Sequence, residues 1–183
     1  MKPDIRRVLA EEWREVRDLR LQALADAAAP VAFLDTLDDA AARPDEFWQG
    51  RTSRAADTDA SAQFVALDGG EWVGSVSVVR RAAGETDHHG RRLEHPRSDV
   101  VGVYVRPSHR GQGVIDALLA AASVWARSLG DTTLTLDVHA DNERASIAYR
   151  RAGFAPTGFR FTGPIGPEIE MARSLVDSDR VRP

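Results

Sequence analysis

Between residues 100 and 138 a strand, an amphipathic helix and a second strand follow one another with little connecting sequence, and this succession constrains the fold more than any other feature. Strands joined through a helix lie parallel, with a right-handed crossover. In the first strand, 100–105, Val101, Val103 and Val105 alternate onto one face, and Gly102 sits inside, where glycine marks a bulge or a close backbone approach. Val114, Leu118, Ala121, Trp125 and Leu129 recur at helical spacing until Gly130 ends the helix. Leu134, Leu136 and Val138 then alternate along the second strand.

The flanks supply the remaining layers. Residues 4–8 read as a short strand, and Trp13, Val16, Leu19, Ala23 and Leu24 form the apolar stripe of a helix closed off by Pro30. A second helix runs from Pro44, suited to a first turn, through Phe47 and Trp48 to Arg54, and is polar enough to face solvent. Strands 64–67 and 72–79 form a hairpin across Asp68-Gly69-Gly70-Glu71. The arginine- and histidine-rich stretch 80–97, with Gly84, Gly90 and Pro96, reads as a long exposed loop. Asn142 caps a helix carrying Ala145, Ala148, Tyr149 and Ala152, Gly153 stops it, and 154–161 and 165–175 are a closing pair of strands. The expectation is one α/β domain over residues 1–176, a mixed, mostly antiparallel sheet flanked by helices, with a frayed tail at 177–183.

Composition narrows the chemistry. With 183 residues and 43% hydrophobic content the chain is large enough for a substantial core. It has no cysteine, which excludes disulfides, thiolate metal sites and cysteine nucleophiles. Lys2 is the sole lysine among 24 basic residues, which excludes a Walker-type phosphate loop and a buried Schiff-base lysine. A net charge of −4 argues against nucleic acid or an anionic membrane as main partner. Residues 1–13 lack a secretory apolar run and 117–126 is too short to span a bilayer, so a cytoplasmic location is expected, and the arginine-for-lysine usage suggests a GC-rich bacterial source.

The strongest local signal is the strand end, tight turn and helix start at Val105-Arg106-Pro107-Ser108-His109-Arg110-Gly111-Gln112-Gly113-Val114. Such a turn offers an anion free N–H groups and a positive helix end, although two glycines alone serve a plain turn equally well. A dinucleotide fingerprint does not fit, because Asp116 stands where its third small residue belongs.

The stretch 101–154 resembles the acetyl-CoA-binding half of the GNAT superfamily of N-acetyltransferases. The family's pyrophosphate motif R/Q-x-x-G-x-G/A falls on Arg110-Gly111-Gln112-Gly113-Val114-Ile115, with Ile115 in place of the small last residue. Its N-x-x-A-x-x-x-Y-x-x-x-G-F string falls on Asn142, Ala145, Tyr149, Gly153 and Phe154. The resemblance implies acetyl-CoA as cosubstrate, held by Val103 and Val105 main-chain groups in a strand splay, by the turn from Arg110 to Asp116, and by Asn142 and Tyr149. It implies direct attack by a primary amine of a small molecule or peptide. Tyr149 would be the general acid; on spacing alone it is a core aromatic. Asp99 and Glu170 are the candidate bases, with Asp137 and His139 behind them and a water chain as the alternative. His88, His89 and His95 have no metal-site spacing, and no metal is expected. Two rivals stand beside this reading, a non-catalytic acyl-CoA-binding or sensing module and a nucleic-acid contact through loop 80–97. The closing strands are placed to pair across a homodimer.

Overall fold

The computed structural model describes residues 3–176; the expected tail at 177–183 lies outside the described residues. Seven strands form one sheet: β1 (Asp4–Arg7), β2 (Ser61–Asp68), β3 (Glu71–Arg81), β4 (Arg97–Val105), β5 (Thr133–His139), β6 (Ala155–Gly163) and β7 (Gly166–Ser174), in the order β1-β2-β3-β4-β5-β7-β6. The crossover pair β4–β5 is parallel and every other pair is antiparallel. The mixed, mostly antiparallel α/β architecture expected from the sequence is therefore the observed one.

The two faces of the sheet carry different helices because each strand alternates its apolar side chains. On one face α4 (Val114–Ser128) buries Val114, Leu118, Leu119, Ala122 and Ala126 against Val76, Val78, Val100 and Leu134. Tyr149, from α5 (Glu143–Arg151), and Phe154 extend this core. On the other face α1 (Trp13–Leu24) and α3 (Asp45–Asp57) close over Val65, Trp72 and Tyr104. A five-residue helix, α2 (Leu37–Ala41), lies between them, with Thr36 accepting the Asp39 N–H as its cap. Nothing in the sequence reading anticipated α2, whose single buried residue is Ala40.

Three expectations need correction. α3 is not a solvent-facing helix: Trp48, Thr52 and Ala55 are buried, because one indole and two small residues at i, i+4, i+7 suffice to seat an otherwise polar helix. Residues 80–97 are not one exposed loop. β3 runs on to Arg81 and β4 begins at Arg97, and Asp87 and Leu93 between them are buried. Asp87 Oδ1 accepts the N–H groups of His89 and Arg91, its Oδ2 pairs with Arg91 and Arg97, and Thr86 bridges Arg92. The third correction is in β4. Val101, Val103 and Val105 do not share a face: Val105 and Val103 turn toward the α4 core with Val100, whereas Val101 is exposed. Gly102, at φ +62°, is the cause, since the β3–β4 register shifts between Ser75 and Ser77 and the extra β4 residue reverses the alternation.

Candidate functional site

The β4–β5 ladder consists of Ser98↔Leu134 and Asp99↔Thr135. Beyond it the strands part, and a cavity of about 400 Å³ opens between residues 100–105 and 136–139. Such a volume suits a small-molecule site. One end is walled by the turn into α4, the other by Tyr149, His139, Glu168 and the segment after α1 that includes Val31 and Phe33.

At the turn, Gly111 and Gly113 adopt φ of +76° and +81°, and no atom stands within 4 Å of where a Cβ would be on either. The backbone there is bare toward the cavity. The first internal bond of α4 runs from Ala117 N–H to the Gly113 carbonyl, so the preceding N–H groups have no acceptor inside the helix. Arg110 braces the turn, its Nε donating to the Val105 carbonyl at 2.9 Å and its Nη2 to Asp26 Oδ2 at 2.5 Å. Ile115 and the more deeply buried Val114 both pack against the core while bordering the cavity. Gln112 and Asp116 do not line the cavity: Gln112 Nε2 donates to the Ser108 carbonyl, and Asp116 pairs with Arg151 at 3.0 Å. Val103, Val105 and Asn142 do line it. Asn142 caps α5, accepting the Ala145 N–H at 3.2 Å, and its Nδ2 donates to the Val31 carbonyl at 3.4 Å, tying the cap to the segment after α1.

Tyr149 lines the cavity from α5 and is 8% exposed. Burial pushes its phenol up to about 12, so the hydroxyl keeps its proton across the physiological range.

The candidate bases lie in a row fixed by register. Directly paired residues share a face, and Asp99↔Thr135, Asp137↔Glu170 and His139↔Glu168 line up from the closed end of the splay to its open end. Asp99 and Glu170 sit toward the closed end and do not line the cavity. Asp99 meets Arg97 at 3.0 Å, Arg81 at 3.2 Å and the Thr135 hydroxyl. Glu170 pairs with Arg91 and, at 3.5 Å, with Arg97; burial alone would raise its carboxyl, but the Arg91 and Thr157 hydrogen bonds and the arginine charges hold it below the ordinary range. At the open end Glu168 is 9% exposed and lines the cavity. Burial, with the Asp137 charge beside it, raises the Glu168 carboxyl above its usual value. His139 Nδ1 accepts the Asp141 N–H at 3.1 Å, which leaves the proton of the neutral ring on Nε2.

Glu168 is the residue the sequence reading missed. Its signal was present: it stands two positions from Glu170 on one strand and so shares its face. The tip of β6–β7 is shaped around this row, for a Cβ on Gly163 would fall 2.1 Å from Glu168 Oε1, and one on Gly166 2.6 Å from His139 Nε2. Sequence spacing also missed that His88 and His89 converge on Asp137, which lies on another strand. Their Nε2–H groups donate to Asp137 Oδ2 at 2.6 and 3.1 Å, and the three ligand atoms lie within 4.8 Å of one another. Hydrogen bonds to the carboxylate account for that convergence. His95 does not belong to the group. Among the described residues no helix is long and apolar enough to cross a membrane.

Comparison with known proteins agrees with this geometry. A model of the acetyltransferase (GNAT) family matches residues 13–154. The chain is similar to an aminoglycoside N(6′)-acetyltransferase type 1 from Stenotrophomonas maltophilia, at 32% identity over 106 residues, 58% of this chain and 67% of that protein. It is similar to a mycothiol acetyltransferase from Jonesia denitrificans at 34% identity, over 90% of this chain and 60% of that protein. A phosphinothricin acetyltransferase from Sinorhizobium meliloti, solved in complex with acetyl-CoA, superposes with a TM-score of 0.72 over 100% of this chain and 94% of that one. At 19% identity that superposition speaks for the fold.

Proposed function

The chain belongs to the acetyltransferase (GNAT) family, and from that premise we propose that it transfers an acetyl group from acetyl-CoA to a primary amine of a small molecule, by direct attack in a ternary complex. The observation that carries this reading is the single cavity joining the bare glycine turn to Tyr149 and Glu168 through the opening between β4 and β5. The residues present suit the cosubstrate: N–H groups of the turn from Gly111 to Ile115 face a diphosphate, and main-chain groups of Val103 and Val105 run beside a pantetheine arm. When bound, acetyl-CoA supplies an acetyl thioester, an acyl group already activated toward amines.

The chain's own residues then move two protons. An alkyl amine has a pKa of about 10.4 and a thiol one of about 8.5, so the nucleophile must lose a proton and the leaving group must gain one. Glu168, on the cavity wall with its affinity for a proton raised by burial, takes the amine's proton. Tyr149, kept protonated by burial, gives its phenolic proton to the departing sulfur. Strand N–H groups at the β4 bulge stabilise negative charge on the carbonyl oxygen. Glu170 holds the segment between β3 and β4 to the sheet through Arg91, and Asp99 pairs with Arg81 and Arg97 on the strands at its two ends.

The test is release of free coenzyme thiol from acetyl-CoA with a panel of amines that starts from aminoglycosides, on which the similar proteins are named, and includes peptide amines. Turnover with a small-molecule amine, lost in Glu168→Gln, supports the reading. Tight acetyl-CoA binding with no turnover across the panel would favour an acyl-CoA-binding module instead.

A further inference from the structure

A second cavity lies behind the bulge, between the sheet and the α1–α3 layer, with Gly102 and Tyr104 bordering both it and the larger one. It has a volume of about 20 Å³. That admits at least one sphere of about the size of a water molecule.

Two donor groups on its lining, the Trp48 indole and the Arg51 guanidinium, have no acceptor among the described residues. Trp48 is 1% exposed, and its Nε1–H has no partner. Arg51 is half-buried and makes neither an ion pair nor a hydrogen bond with any described residue. Arg20 reaches Asp35 at 3.8 Å, but Arg43 holds that carboxylate at 2.8 Å. One carboxylate thus faces three guanidinium groups and pairs with two of them. The other acids nearby are engaged: Asp26, facing Tyr104, pairs with Arg110, and Asp18 and Asp45 pair with Arg17. Burial and the charge of Arg51 push the Arg20 guanidinium down to about 10, and burial and the charge of Arg43 lower Arg51 as well. Gln63 is 6% exposed; its Oε1 is enclosed and unpartnered, and its Nε2 makes no hydrogen bond with a described residue.

We infer that this cavity binds a small monovalent anion with the chemistry of chloride. Half-buried cations that outnumber their carboxylates repel one another, and neutral water accepts hydrogen bonds but leaves the net charge in place. An anion supplies both the missing acceptor and the missing charge, from behind the strand that forms the wall of the larger cavity.

The experiment uses bromide as the probe. Crystals of the whole chain grown in sodium bromide are expected to show an anomalous peak between Trp48 Nε1 and Arg51. In solution, chloride at ten times its dissociation constant is expected to raise Tm by about 3 °C over sodium gluconate of equal ionic strength. Arg51→Met should lose that increment and, relieved of an unpaired cation, melt at or above the wild-type chloride-free value. Trp48→Phe, which keeps a ring and removes the N–H, should weaken the chloride midpoint about tenfold, which keeps the idea testable if Arg51→Met does not fold. A cavity that holds only water in bromide crystals, or a Tm indifferent to the anion, overturns the inference.

Discussion

In the proposed mechanism Tyr149 and Glu168 divide the proton chemistry between them, and their variants should fail differently. Tyr149→Phe removes the proton donor and one oxygen atom, so kcat is expected to fall roughly 10²-fold or more while KM for acetyl-CoA changes little. Steady-state kinetics check it, and an unchanged kcat would take Tyr149 out of the acid role. Glu168 works in its deprotonated form, and its carboxyl is raised by burial and by Asp137. The rate of the wild type should therefore climb with pH through an inflection above the ordinary carboxylate value of about 4.3, and Glu168→Gln should lose that acid limb. Gly163 is part of the same arrangement. Alanine there would overlap Glu168 Oε1, so Gly163→Ala should displace the carboxylate and lower kcat, with a circular dichroism spectrum like that of the wild type.

The β4 bulge belongs to the pairing of two strands, and no single residue makes it. Gly102 takes φ +62° with open space around a Cβ, so alanine there meets backbone strain without a clash. The left-handed penalty of about 1–2 kcal/mol predicts that Gly102→Ala lowers Tm by about 2–8 °C, and Gly102→Asn, which tolerates that conformation, by less. Differential scanning calorimetry of the two variants tests the order. At this scale the sequence was readable where the signals are local. Crossover, hairpin, glycine turn and Asn142 cap were all legible, because spacing, turn chemistry and capping act within a few residues. The bulge was legible too, but its effect on the facing of Val101 depends on pairing with β3. The burial of Asp87 depends on Arg97 across the loop, and the choice among Asp99, Glu168 and Glu170 depends on how β5 and β7 align with the splay. Those are long-range facts, and composition carries no trace of them.

For the whole molecule, ion pairs tie loop 82–96 to the surface of the sheet. Asp87 is the hub. Burial alone would raise its carboxyl, but hydrogen bonds from the Arg91 and His89 N–H groups and the Arg91 guanidinium bring it down to about 2. A carboxyl lower in the folded than in the unfolded state stabilises the fold above the unfolded value of about 3.8, and that stability is lost as pH falls toward 2. The contribution is about 2 kcal/mol, so urea midpoints should drop between about pH 4 and pH 2, and Asp87→Asn should flatten that part of the profile. In the proposed function the opening between β4 and β5 is the channel that carries a coenzyme from the glycine turn to Tyr149. A crystal structure with saturating CoA tests it most directly. The diphosphate is expected on the N–H groups of residues 111–115 and the thiol beside the Tyr149 hydroxyl; a coenzyme bound elsewhere, with its diphosphate away from that turn, would overturn the proposed function.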